Sequence, residues 1–171
     1  MYLGWVGTDS AHHLNLLELA DTSHAASGII KFTDYTQHGA SLCFYWDGGV
    51  SKLYVSFIDA GSSQRIHLGI FNGSNQLTAA AGSPFIDSSP TAAGIFANHG
   101  KIDFIWRGSG GNNHVWTDYW DGSWHSHIQQ TDTTIGAPGI DGYGTPPTAH
   151  TYTVFTGTNN VVYFDVNAYS Y

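Results

Sequence analysis

Charge is scarce in this sequence. Of 171 residues, 13 are acidic and five basic, and charged side chains make up 11% of the chain, about half the usual share. The basic residues, Lys31, Lys52, Arg65, Lys101 and Arg107, do not cluster, and the net charge is −8. A phosphate backbone is gripped by grouped lysines and arginines, so no nucleic-acid partner is expected. No apolar run approaches the roughly 18 to 20 residues of a helical membrane span, so no membrane partner is expected either. Met1 leads straight into a strand-like segment without a basic leader, and no signal peptide is visible. With one cysteine the chain forms no internal disulfide; Cys43 stands in an apolar run as an inert thiol, which leaves the compartment open. Glu18 is the only glutamate, and helix has almost no foothold.

What the sequence does have is glycine (21 residues) and aromatics (15%) on a hydrophobic share of 42%. That is the profile of an all-β chain of many short strands and tight turns. A strand with an aromatic near its end recurs as Tyr2-Leu-Gly-Trp5-Val-Gly7, Tyr54-Val-Ser-Phe57-Ile-Asp59, Asp103-Phe-Ile-Trp106-Arg-Gly108 and Tyr152-Thr-Val-Phe155-Thr-Gly157. The anchoring aromatics are spaced at about 50 residues, the period of a propeller blade. After each copy comes a polar loop and another strand: His13 to Leu17, Arg65 to Phe71, His114 to Trp120, Val161 to Val166. A less apolar strand follows at Ile29 to Tyr35, Gln76 to Ala81 and His125 to Gln129, and the turn pairs Asn72-Gly73 and Asp121-Gly122 introduce two of these. Small-residue runs, Ala40 to Trp46, Pro90 to Phe96 and Ala137 to Tyr143, precede copies two to four and suit the crowded place nearest an axis.

The spacing therefore predicts β-propeller blades of four antiparallel strands, about 3.5 repeats per chain, in units of approximately 1–36, 37–86, 87–135 and 136–171. Fourteen strands, grouped three, four, four and three, form an arc with raw edges. Such edges invite pairing with another chain, so closure by homo-oligomerisation is expected, with a dimer favoured.

The third unit, Lys101 to Trp124, is richest in candidate binding groups. Alternation puts His114, Trp116, Asp118 and Trp120 on one strand face, and sets Asp103, Ile105 and Arg107 opposite Ile102, Phe104 and Trp106. Sugars present apolar C–H faces ringed by hydroxyls; an indole stacks on the face, and Arg, Asp or Asn bonds the hydroxyls. Arg107, Trp116, Asp118, Tyr119, Trp120 and Trp124 supply both kinds of group. The competing reading is that these aromatics fill the faces between blades.

Asp103-Phe-Ile-Trp-Arg107-Gly108, then Val115-Trp116 and Trp120-Asp121-Gly122-Ser123-Trp124, resembles the blade repeat of the Photorhabdus-lectin-like propeller lectins. The resemblance implies a non-catalytic, multivalent reader of glycans, fucosylated ones among them, bound between adjacent blades. The compartment is unknown from the sequence, with a secreted or cell-surface-facing one favoured. The resemblance rests on the third unit, because Val6, Ile58 and Thr156 stand where Arg107 does, and Thr117 stands where the family often has histidine.

Other chemistries find less. His125 and His127 would share a strand face, yet spacing places no third ligand for a metal, and neither metal nor cofactor is expected. A glycosidase needs two carboxylates at a set separation, and the aspartates are scattered through loops. No nucleophile elbow, phosphate loop or Cys/His pair is present, so no catalytic residues are expected. A structural or protein-interaction propeller without sugar binding is the alternative function.

Overall fold

The abundance of turn residues is realised as fourteen strands in four antiparallel sheets, with no helix among the described residues. A computed structural model of the chain describes residues 1–19, 26–98, 100–125, 127–143 and 150–166. The first sheet holds β1 (Tyr2–Val6), β2 (His13–Leu19) and β3 (Ala26–Tyr35). The second holds β4 (Ser41–Asp47), β5 (Val50–Ile58), β6 (Ile66–Phe71) and β7 (Thr78–Ala79). The third holds β8 (Gly94–Asn98), β9 (Lys101–Arg107), β10 (His114–Trp120) and β11 (Ile128–Thr133). The fourth holds β12 (Gly139–Tyr143), β13 (His150–Thr156) and β14 (Val162–Val166). Each strand pairs with its neighbour in the chain, so every sheet is a meander closed by local turns.

The anchoring aromatics occupy one register position. Trp5 lies opposite Asn15, Phe57 opposite His67, Trp106 opposite Trp116 and Phe155 opposite Tyr163. Three of the four are followed two residues later by glycine, for a steric reason. A Cβ on Gly108 would lie 2.5 Å from the Trp116 indole nitrogen, one on Gly157 would lie 2.6 Å from the Tyr163 ring, and one on Gly7 would lie 2.9 Å from the Asn15 amide. The glycine lets the neighbouring side chain fold over the backbone.

The inner sheets are buried on both faces. Leu53 to Ile58 of β5 and Ile102 to Trp106 of β9 are buried without a break, because another sheet covers each side. Between the second and third sheets Tyr54, Ile58, Ile66 and Leu68 meet Ile102, Phe104, Trp106 and Trp120. Each such buried side chain contributes about 1.5–3 kcal/mol relative to exposure. Leu14, Leu16 and Phe32 cover Leu53, Val55 and Phe57, and Ile105 and Val115 meet Phe155, with Ile140 against them. The sheets also touch through their leading strands, β1 with β4, β4 with β8 and β8 with β12. β4, β8 and β12 together surround a cavity of about 420 Å3.

Two strands differ from the reading of the sequence. β11 starts at Ile128 instead of His125, because His125 is held in the turn: its ring meets the Asp121 carboxylate at 2.8 Å and its N–H donates to Tyr119 O. β7 shrinks to Thr78–Ala79, since the N–H of Leu77 donates to the Asp34 carboxylate of the first sheet and not to a ladder partner.

Candidate functional site

The alternation of β9 and β10 sends Trp106 and Trp116 toward the second sheet and Arg107 toward the fourth. At the boundary between sheets two and three, Trp116 is half-buried, and its exposed part lines a pocket of about 220 Å3. Trp106 and Gly108 form the floor, and Ile86, Asp87 and Ser88 form the opposite wall. Ser109, Asn112 and His127 complete the rim. The Ser88 and Ser109 hydroxyls, 2.9 Å apart, bridge the two walls. His127 turns the edge of its ring to the Trp116 indole, with centroids 4.9 Å apart.

Behind the pocket the groups are structural. Trp124 stacks on Phe85 at 4.0 Å and donates from Nε1 to Asp87 Oδ2 at 2.8 Å. Trp120 is 5% exposed, packs on Tyr54 and donates to Ala81 O at 3.0 Å. Asp118 is fully buried and accepts the N–H of Tyr119. Burial pushes its pKa up to about 7, the Tyr119 N–H works against that rise, and the nearby Asp87 charge adds to it.

Of the six residues proposed from the sequence, Trp116, Asp118, Trp120 and Trp124 thus lie on the side of the second sheet, and only Trp116 lines the pocket. Arg107 and Tyr119 lie on the other face. The Arg107 guanidinium bonds Asn113 Oδ1 (2.6 and 3.1 Å) and Ile135 O (3.0 Å) at the boundary with the fourth sheet. Tyr119 stacks on His125 at 4.0 Å with the Lys101 ammonium 4.8 Å above its ring.

That next boundary carries a corresponding pocket of about 250 Å3. Phe155, Gly157, Thr158 and Tyr163 stand where Trp106, Gly108, Ser109 and Trp116 stand in the first, faced by Asp132 and Thr133 in place of Asp87 and Ser88. Tyr163 stacks on Phe155 at 5.4 Å, and its hydroxyl accepts from Asn159. Between sheets one and two the same place is filled by His67 stacked on Phe57 at 4.8 Å.

The polar wall is what the aromatic pattern of the sequence missed. It comes from Asp34, Asp87 and Asp132, each two residues before a buried Thr36, Ser89 or Thr134. The hydroxyls of those three accept the N–H two residues on, from His38, Thr91 and Gly136. An Asp-x-Ser/Thr box at the end of each of the first three sheets was therefore a readable signal.

Asp87, Asp118 and His127 place donor atoms within 4.8 Å of one another, the arrangement nearest to a metal site among the described residues. Asp87 is engaged on both oxygens, with His127 at 3.1 Å and Trp124, so it braces those two side chains. His125 and His127 do not converge, since each turns to a different aspartate.

A larger hollow of about 440 Å3 lies on the uncovered face of the fourth sheet, among Gly139, Ile140, Tyr152, Val154 and Phe164. It is apolar and lacks the paired hydroxyls of the inter-sheet pockets.

This arrangement of sheets is found in a known protein. The chain shares its fold with AofleA from Arthrobotrys oligospora. A crystal structure of AofleA matches with a TM-score of 0.65 at 14% identity, over 99% of this chain and 50% of that one. A variant with three evenly spaced arginines changed to alanine matches with a TM-score of 0.69 at 13% identity, over the same shares. The chain thus spans about half the length of these structures. A fucose lectin from Kordia zhangzhouensis in complex with methyl-fucoside aligns over the whole of both chains at 12% identity with a TM-score of 0.37, too low to compare the folds. No family model matches the sequence, and no curated protein matches it.

Proposed function

We propose that the chain is a non-catalytic carbohydrate-binding protein that seats a sugar between its second and third sheets. The observation that carries this reading is the Trp116 pocket. A half-exposed indole, rigid on its glycine floor, faces Asp87, Ser88, Ser109 and Asn112 across a space suited to one pyranose ring. The indole takes the apolar C–H face, and the hydroxyls, amide and carboxylate take the sugar hydroxyls. Asp118, Trp120 and Trp124 hold the pocket in shape. Arg107 and Tyr119 serve the following boundary, where Arg107 orders the loop beside the Tyr163 pocket.

The resemblance of 101–124 to the Photorhabdus-lectin-like blade supports glycans as the ligand class, fucosylated ones included. Sheets that touch through their leading strands around a shared cavity support reading them as blades about an axis. In that reading the ring is completed by a second copy, and repeated weak sites act together through avidity.

The test is binding of the labelled protein to a glycan array. Wild type is expected to mark a related set of glycans, and Trp116→Ala, still folded with a cooperative thermal transition, is expected to lose them. A folded wild-type protein that marks no glycan overturns the reading.

A further inference from the structure

The two end sheets have three strands each instead of four, and each has one face that no other sheet covers among the described residues. Inside the chain every joint is built alike. The face of one sheet that holds Ile105 is covered by the next sheet, through Ile140 and Phe155. The face that holds Val55 and Phe57 is covered by the preceding sheet, through Leu14, Leu16 and Phe32.

Register carries both faces to the ends. Ile105 precedes Trp106 as Val154 precedes Phe155, and Val154 lies between Gly139 and Phe164 across the fourth sheet. Val55 stands two before Phe57 as Leu3 stands two before Trp5, and Leu3 is in one row with Leu17 and Ile29 across the first sheet. Both rows are open to water. Val154 and Phe164 are 43% and 63% exposed, and Leu3 and Ile29 are 54% and 64% exposed. The Val154 row lines the 440 Å3 hollow. Among the described residues the chain therefore carries both halves of a joint that it already makes internally.

We propose that a second copy of this chain fills the hollow head to tail. The Val154–Phe164 face of one subunit receives Leu3, Leu17 and Ile29 of the partner subunit, and the reciprocal joint closes a ring of two. Two copies restore the length of the AofleA chain, half of which one copy matches. A head-to-tail contact that closes leaves no raw face, whereas one that does not close grows into a filament. Asn15 of the first sheet stands where Trp116 stands in the third, so the joint offers no indole platform and stands on packing alone.

Light scattering on a sizing column decides it. Wild type is expected at twice the 18.5 kDa chain mass. Phe164→Asp and Leu3→Asp, each checked for a native β-sheet spectrum, are each expected at one chain mass. Mixed in equal amounts, the two variants are expected to return a two-chain species, because one subunit keeps an intact fourth sheet and the other an intact first sheet. A wild-type monomer, a three-chain species, or a mixture that stays monomeric overturns the joint. A monomer that still binds sugar through Trp116 leaves the sugar reading intact. A dimer that binds no sugar overturns that reading and leaves the joint.

Discussion

The indole nitrogen of Trp116 lies 2.5 Å from the point where a Cβ on Gly108 would sit. The backbone oxygen of Asn112 closes the same space from the other side at 2.8 Å. A methyl group there cannot be absorbed by bending one flexible chain end. Gly108→Ala is expected to lift the indole off its floor and to cost about 1–3 kcal/mol of stability. Urea denaturation measures the stability and Trp fluorescence the displacement. An alanine variant with wild-type stability and emission would show that the glycine is not the floor of the pocket.

Two indoles a few residues apart are expected to behave oppositely. Trp124 is stacked on Phe85 and bonded to Asp87, so Trp124→Ala should cost about 3–5 kcal/mol. Trp116 exposes part of its ring to the pocket, so Trp116→Ala should cost much less while abolishing glycan binding. Denaturation curves run beside array binding separate these roles. Equal destabilisation by both changes would make Trp116 a packing residue.

The Asp118 carboxyl has an ordinary value of 3.8, which burial pushes up to about 7. The fold therefore holds this proton more tightly than the unfolded chain does. The stability it lends is complete below pH 3.8 and is lost as pH rises through 7, a change on the order of a few kcal/mol. Asp118→Asn keeps the shape and removes the titration. The wild-type denaturation midpoint should fall between pH 4 and 8 more steeply than that of the variant, measured in parallel. Parallel slopes would mean that Asp118 titrates as it does in water.

Cys43 packs against the core between the second and third sheets, and burial pushes its thiol up to about 12. Only the thiolate attacks a disulfide reagent. Modification by such a reagent near neutral pH is expected to be at least tenfold slower in native protein than in urea, followed by absorbance of the released thiolate. Equal rates would place the thiol at the surface.

Much of the fold was legible because its signals are local. The period-two alternation of His114 to Trp120 returned both the strand and its two faces, and Asn72-Gly73 and Asp121-Gly122 sit at turns whose glycines have φ of 89° and 109°. Signals that depend on distant partners were not legible. His125 reads as a strand residue until Asp121 captures it, and β7 reads as longer until Asp34 takes the N–H of Leu77. The site followed the same rule. Alternation separates Trp116, Asp118 and Trp120 from Arg107 and Tyr119. It cannot say that Tyr54 and Phe85 arrive from the second sheet to bury Trp120 and Trp124 and leave Trp116 open. Asp87 and Ser88 were missed because they lie at a sheet end, outside the aromatic strands that drew attention.

The central claim, a sugar held against Trp116, is tested most directly by the indole N–H resonances of the 15N-labelled protein. Trp116→Phe assigns one of them, and methyl glycosides of fucose, galactose and mannose are then titrated in turn. The Trp116 resonance is expected to shift with a saturable dependence on one of these sugars. Trp120, whose N–H is held by Ala81 O and which does not line the pocket, should stay in place. A Trp116 resonance that none of the three sugars moves would contradict the account.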